Sequence, residues 1–295
     1  MNPKHALNLF RFVWRHPLNS ENKLRALGRL LRWQIGSRLL PGMTALPFVE
    51  KTRLFATRGM TGATGNWYSG LHETAEMGFV LHLLRPTDHF LDVGANIGSY
   101  AILAAGAVGA YTVAVEPIPE TFACLRRNIL LNDLEEKVRC CQIGLSDRDA
   151  VLRFTSDLDT VNHVISSGEK GPSIEVPVMT LDALVGNMIP AAIKIDVEGH
   201  ELRVLGGASR VLADQRVLAV IMETNGSGAR YGVGDDKLFD VMYRHKFEPY
   251  GYDPLSRTLV GGQPNAGNTI FVRDVETVKS RIETARKYSL VNRAI

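Results

Sequence analysis

From residue 72 onward, short apolar runs alternate with amphipathic stretches, the rhythm of a parallel sheet covered by helices on both faces. The runs predict strands near 89–93, 111–116, 138–143, 192–196, 217–223, 247–252 and 269–273. The stretches between them predict helices over 72–85, 98–108, 118–131, 200–213 and 235–246, with a last one around 275–287. Between the third and fourth strands the pattern changes. Val151–Thr155 and Ile174–Val178 read as short strands around a polar loop from Ser156 to Pro172, and long loops in compact domains are often functional.

The N-terminal segment follows another rule. Leu24, Leu27, Leu31 and Ile35 recur at helical spacing while Arg25, Arg29 and Arg32 fall on other faces, predicting a basic amphipathic helix between Pro17 and Pro41. Residues 1–60 hold eleven Lys or Arg against Glu21 and Glu50, a balance of +9, so the remainder carries −6 within a chain of net charge +3. Two readings follow. In the simpler one the leucines and Trp33 pack on the rest of the chain and the arginines form the solvated face. In the other, residues 1–60 make peripheral contact with an anionic membrane or sit near a lipid-linked substrate. The expected division is a basic, largely helical extension over 1–65 and one domain over 66–295, with an inserted β-loop near 150–178.

Composition sets outer bounds. A chain of 295 residues with 45% hydrophobic content buries a full core. Cys124, Cys140 and Cys141 offer neither a disulfide framework nor a metal-ligand spacing, so a reducing cytoplasm is the expected setting. No run of about 18 apolar residues and no signal-peptide pattern is present, which makes the chain soluble or peripheral to a membrane.

Candidate chemistry collects at strand ends. His89-Phe90-Leu91-Asp92-Val93-Gly94-Ala95-Asn96-Ile97-Gly98 reads as a buried strand, a glycine turn and a helix start. A dinucleotide turn wants G-x-G-x-x-G with amides facing a pyrophosphate; here Asn96 replaces the middle glycine and Asp92 would repel phosphate. S-adenosylmethionine, cationic and free of phosphate, suits that turn better. Glu116 ends the next strand 22 residues after Gly94, where a carboxylate accepts both ribose hydroxyls. Asp196 and Glu223 end two later strands and face the same crevice, with Lys194 in reach of Asp196. Two mechanisms on a hydroxyl acceptor stay open. Asp196 and Glu223 hold Mg²⁺ that acidifies the acceptor, or a histidine, His163 in the inserted loop or His200, removes the proton.

The pair Phe90-Leu91-Asp92-Val93-Gly94-Ala95-Asn96-Ile97-Gly98 and Ile193-Lys194-Ile195-Asp196-Val197-Glu198-Gly199-His200-Glu201 resembles the FkbM-type methyltransferases, a branch of the class I S-adenosylmethionine enzymes, over residues 66–273. Glu116-Pro117, Leu145-Ser146-Asp147, the Asp159 to His163 segment and Asn225-Gly226-Ser227-Gly228 extend the resemblance. It implies an α/β, Rossmann-like fold: a seven-stranded, mostly parallel sheet with its last strand reversed. It implies O-methylation of a sugar, glycan or polyketide-type small molecule. The methionine part of the cofactor then falls on Asp92, Gly94, Asn96 and Gly98, the ribose on Glu116, and the adenine near Ser146 and Asp147. Asp196, Glu223 and His163 remain the catalytic candidates.

Rival readings are an N-methyltransferase on nucleic acid or protein and a non-catalytic membrane- or nucleic-acid-binding module. The first lacks its usual Asn/Asp-Pro-Pro-aromatic turn, since Asp196-Val197-Glu198-Gly199 stands there, and no nucleic-acid partner is expected. Glu73 and Glu76 are weaker candidates for the amino group of the cofactor, and Trp67 and Tyr68 for the acceptor side.

Overall fold

A computed structural model describes residues 3–156, 161–166, 168–262 and 267–295 of the chain. Helices α1 (Pro3–Arg15) and α2 (Lys23–Leu39) lead into a two-stranded ribbon of β1 (Thr44–Pro47) and β2 (Arg53–Ala56), then α3 (Thr61–Ser69) and α4 (Thr74–Leu83). The main sheet alternates with helices from there: β3 (His89–Val93), α5 (Ser99–Ile102, continued by a π-helical stretch to Val108), β4 (Tyr111–Val115), α6 (Pro119–Leu131) and β5 (Val138–Cys141). The insertion contributes β6 (Gly144–Leu145), β7 (Ala150–Thr155) and β8 (Ser173–Met179), followed by α7 (Leu181–Val185). The second half holds β9 (Ala192–Ile195), α8 (Glu201–Gly206), α9 (Ser209–Ala213), β10 (Ala219–Glu223), α10 (Asp235–Arg244), β11 (Glu248–Asp253), β12 (Thr258–Gly261), β13 (Asn268–Val272) and α11 (Val275–Thr284).

The sheet runs β12-β11-β13-β10-β9-β3-β4-β5. Strands β5, β4, β3, β9 and β10 are parallel, and β13 is inserted antiparallel between β10 and β11. This is the reversed last strand expected of a Rossmann-like methyltransferase sheet, with eight strands among the described residues instead of seven. The eighth, β12, is a hairpin partner of β11 on the outer edge, largely solvated and too short to stand out as an apolar run. Strands β3, β4, β9 and β10 are buried almost throughout, which explains their continuous apolar sequences. Two separate apolar clusters, one on each side of the sheet, mark the helical layers: Phe90, Ala114 and Ile221 lie in one, Leu91, Val113 and Val220 in the other.

The predicted helix over 200–213 is two helices, broken at Gly206-Gly207 where paired glycines make poor helix. The inserted strands pair antiparallel as β7 and β8, and β6 adds a third strand parallel to β8. The N-terminal segment is less purely helical than expected because of the β1–β2 ribbon. It shares a core with the rest of the chain: Val13, Leu18, Leu30, Trp33 and Phe48 belong to the same cluster as Phe90 and Leu103. Asn128 and Asn132 of α6 tie down β2 by accepting from Phe55 N and Arg53 N, 2.7 Å each. Among the described residues no helix is long and apolar enough to cross a membrane.

Candidate active site

Parallel strands β4, β3 and β9 end on one side, and a cavity of about 390 Å³ opens beyond their carboxyl ends. That is where ligands gather in open α/β sheets. Asp92 and Val93 of β3, Glu116 after β4, and Asp196 after β9 form its floor; Met60, Thr61 and Asn66 of the α3 region cover it. The insertion reaches in through Asn162 and Val164.

The glycine turn is shaped by β9. Gly94 has φ +75°, and a Cβ there would stand 1.8 Å from the Asp196 carbonyl oxygen, so nothing larger fits without moving the strand end that carries Asp196. Asn96 takes the left-handed region at φ 50°, which asparagine tolerates. Every amide of the turn is consumed internally. Gly94 N and Ala95 N donate to the Val115 carbonyl (3.0 and 2.9 Å), Asn96 N to Glu116 Oε2 (3.0 Å), Ile97 N to Asn96 Oδ1 (2.8 Å) and Gly98 N to the Ala95 carbonyl (2.8 Å). A phosphate-binding turn keeps such donors for its ligand.

Charge agrees with that geometry. The lining carries six carboxylates, on Glu73, Asp92, Glu116, Glu120, Asp196 and Glu198, against one lysine, Lys194. Asp92 is 1% exposed, and the Ala101 amide of α5 is the backbone donor that acts on it, short of full hydrogen-bond geometry. Burial raises its carboxyl to about 6, with Lys194 opposing the rise and Asp196 adding to it. Glu116 is buried as well, and burial lifts it to about 7 despite amide donors from Ile118 (3.0 Å) and Asn96. Lys194 Nζ lies 2.7 Å from Asp196 Oδ2 and 4.9 Å from the centre of the Tyr100 ring. Burial lowers its ammonium, but Asp196, Glu73 and Asp92 together outweigh burial and hold it above its ordinary value. Glu73 is fixed from two sides, accepting from Tyr100 Oη at 2.5 Å and Asn268 Nδ2 at 3.2 Å.

Asp196, Glu198 and Glu223 bring one oxygen each to within 4.8 Å of one another. Burial, then repulsion from Asp196 and Glu198, drives Glu223 up to about 8. Glu198 also rises, chiefly by burial, and sits at φ 55°. Glu223 is not among the residues that line the cavity; it reaches Asp196 and Glu198 from the end of β10 and accepts from Asn225 Nδ2 at 2.7 Å.

Other predicted site residues lie elsewhere. His163 is 5% exposed and is not among the residues that line the cavity, though its ring is close enough to act on Glu198: Nε2 meets Glu169 Oε1 and Nδ1 the Val161 carbonyl, 2.9 Å each. Its neighbours Asn162 and Val164 line the cavity, as alternation along an extended segment requires. Asp159 and Thr160, the start of that segment, lie outside the described residues. Ser146 and Asp147 are not in the lining. Ser146 Oγ bonds His200 Nε2 (3.1 Å), Asp147 pairs with Arg203 (2.7 Å), and Ile143, Gly144 and Leu145 face the cavity in their place. His200 borders the cavity, with burial lowering its imidazole to about 4. Glu76 is buried outside the lining, and Tyr68 is a core residue bonded to Gln34 (3.3 Å). Trp67 packs against the same core. Sequence reasoning missed α3: its glycine-rich Thr61-Gly62-Ala63-Thr64-Gly65-Asn66 has no helical signature, and only tertiary packing makes it a lid.

A family profile described as the methyltransferase FkbM domain matches residues 92–252, more than half of the chain and all of the site's strand ends. The chain belongs to the FkbM methyltransferase family. Two curated relatives are similar to it. Hexuronic acid methyltransferase AglP of Haloferax volcanii is 32% identical over 139 residues, 46% of this chain and 55% of that protein. The 31-O-demethyl-FK506 methyltransferase FkbM of Streptomyces tacrolimicus is 32% identical over 159 residues, 42% of this chain and 60% of that one. The chain thus spans little more than half the length of the curated relatives it matches. Among solved structures, methyltransferase FkbM from Methylobacillus flagellatus KT aligns with 14% identity and a TM-score of 0.45, covering 85% of this chain and 60% of that one.

This family uses S-adenosylmethionine, and the cleft fits it. The buried Asp92 carboxylate and the acidic lining suit a cation, and the amides of the turn over 94–98 are all taken internally.

Proposed function

We propose that the protein transfers the methyl group of S-adenosylmethionine to a hydroxyl oxygen of a sugar, glycan or polyketide-type small molecule. The observation that carries this reading is the turn with no free amide beside six carboxylates, one of them, Asp92, fully buried. The relatives point toward oxygen acceptors, since one is named for a hexuronic acid and the other for a 31-O-demethyl substrate.

When bound, the cofactor supplies an electrophilic methyl on a sulfonium. The residues do the rest. Asp92 and Glu73 attract the cationic methionine part, and Glu116, oriented by the Asn96 and Ile118 amides, keeps lone pairs for the ribose hydroxyls. Asp196, anchored by Lys194, accepts the acceptor's proton as the oxygen attacks. Glu223, pushed up to about 8, holds its own proton at neutral pH, so the three clustered carboxylates do not all carry charge. The α3 lid and the insertion exclude water and align the acceptor. His163, with both ring nitrogens engaged outside the cleft, is not assigned the proton transfer.

Calorimetry with S-adenosylmethionine and NAD, followed by a screen of hydroxylated acceptors for S-adenosylhomocysteine release, tests this. Binding of the first alone, and turnover with a hydroxylated acceptor, are expected; NAD binding without S-adenosylmethionine binding overturns the proposal. Asp196, Glu198 and Glu223 are also oxygen donors of the kind Mg²⁺ takes. Turnover unaffected by chelators assigns proton removal to Asp196 without a metal.

A further inference from the structure

Helix α2 is apolar on two opposite sides. Ala26, Leu30 and Trp33 are buried against the rest of the chain. Leu24, Leu31, Ile35 and Leu39 are 79%, 59%, 58% and 74% exposed. At 3.6 residues per turn these four, with Gly28, fall in an arc of about 80° centred opposite the buried stripe. The packing reading of the sequence therefore holds for Trp33 and fails for Leu24, Leu31 and Ile35. Arg25 and Arg32 border one side of the outer stripe and Arg38 the other, all exposed.

Helix α1, packed against α2, repeats the arrangement. Leu7, Phe10 and Trp14 are 48%, 42% and 38% exposed, Phe10 and Trp14 stack at 5.8 Å, and Lys23 of α2 lies 5.0 Å from the centre of the Trp14 ring. Together the two helices carry eight Lys or Arg and no Asp or Glu. Arg29 is the inward exception, donating to the Trp67 and Tyr68 carbonyls (2.9 and 2.8 Å).

We infer that the outer face of α1 and α2 docks on an anionic lipid bilayer. Apolar side chains at the centre of a face and cations along its edges are the layout of a helix lying in the headgroup boundary. A nucleic-acid surface needs cations at its centre, where leucine and isoleucine stand here. A second copy of this face would set seven positive charges against seven, Arg29 being turned inward, whereas anionic headgroups are complementary to them. The consequence concerns the active site. A cavity between α1, α2 and α3, lined by Leu9, Phe12, Trp33 and Tyr68, shares Thr61 and His72 with the cleft of the proposed methyl transfer, so the docked helices adjoin that cleft.

The test is cosedimentation of the full chain with phosphatidylcholine vesicles, with and without phosphatidylglycerol, at low and high salt. Pelleting that needs phosphatidylglycerol and weakens with salt is expected. Leu31→Glu with Ile35→Glu should weaken it at least about tenfold, with an unchanged Tm because both positions are largely solvated. Should that pair fail to fold, Arg25→Gln with Arg32→Gln decides, with a loss of about fivefold per arginine. Absence of pelleting overturns the inference, as does pelleting untouched by either pair. A dimer broken by Leu31→Glu, or binding to RNA in place of vesicles, overturns it too. None of these readouts needs S-adenosylmethionine, so failure here and failure of the methyltransferase reading are separate results.

Discussion

Replacing Asp92 by asparagine separates what this carboxylate does for the fold from what it does for the cofactor. Asp92 is fully buried, and burial raises its carboxyl from 3.8 to about 6 against the opposing pull of Lys194 and the Ala101 amide. At 1.36 kcal/mol per pH unit, the folded, ligand-free protein carries roughly 3 kcal/mol of charge burial at pH 7. The sign follows from proton counts. Between 3.8 and about 6 the folded state binds more protons than the unfolded one, so stability falls as pH rises through that window and stays lower above it. Asparagine mimics the protonated acid. Asp92→Asn should therefore raise the Tm of the ligand-free protein at pH 7.5 by on the order of 5 °C, with the gain shrinking toward zero as pH approaches 4. The same change removes a charge-assisted partner of the cofactor, about 1.5–3 kcal/mol, so affinity for S-adenosylmethionine should drop at least about tenfold. Scanning fluorimetry across pH and calorimetry at pH 7.5 measure the two effects. A Tm at or below wild type at pH 7.5, or an unchanged affinity, refutes the assignment of Asp92 as a buried carboxylate kept for the cofactor's cation.

Other substitutions divide the remaining roles. Glu116→Ala should lose about tenfold or more in S-adenosylmethionine affinity, whereas Asp196→Ala should bind the cofactor and lose about 100-fold or more in turnover; calorimetry and initial rates check the pair, and the reverse pattern sinks the division. Gly94→Ala drives a Cβ to 1.8 Å from the Asp196 carbonyl at a positive φ, so both cofactor binding and Tm should fall. His163→Ala should leave turnover within a few-fold of wild type while lowering stability by about 1–2 kcal/mol in urea unfolding, since its ring is buried against Glu169 outside the cleft. A 100-fold loss of turnover in a folded His163→Ala protein returns the histidine to the proton transfer.

The central sheet was legible because its strands are buried on both faces, and Phe90-Leu91 or Val220-Ile221 have no polar side to present. Two elements beside it were not, β12, which is largely solvated, and α3, which is largely buried. Strand β12 and helix α3 owe their form to β11 and to the cleft they border, and neither carries a run or a period of its own. The same distinction separates the site residues. Asp92, Glu116, Asp196 and Glu198 reach one cavity because each closes a strand or stands just beyond it in a parallel sheet, a position that topology alone determines.

Residues in the insertion obey no such constraint. One step of alternation puts Asn162 and Val164 on the cavity and His163 on Glu169, a difference of register that composition cannot reveal. The N-terminal helix shows a third case. Leu24, Leu31 and Ile35 follow a sound helical period, yet they mark the stripe that faces outward, because Ala26, Leu30 and Trp33, with Leu27 packed beside them, make a second stripe that fits the core better. A hydrophobic period identifies an apolar face without saying what covers it. For α2 the exposed face and the arginines along its edges carry that missing information, and they favour an anionic surface over the protein's own interior.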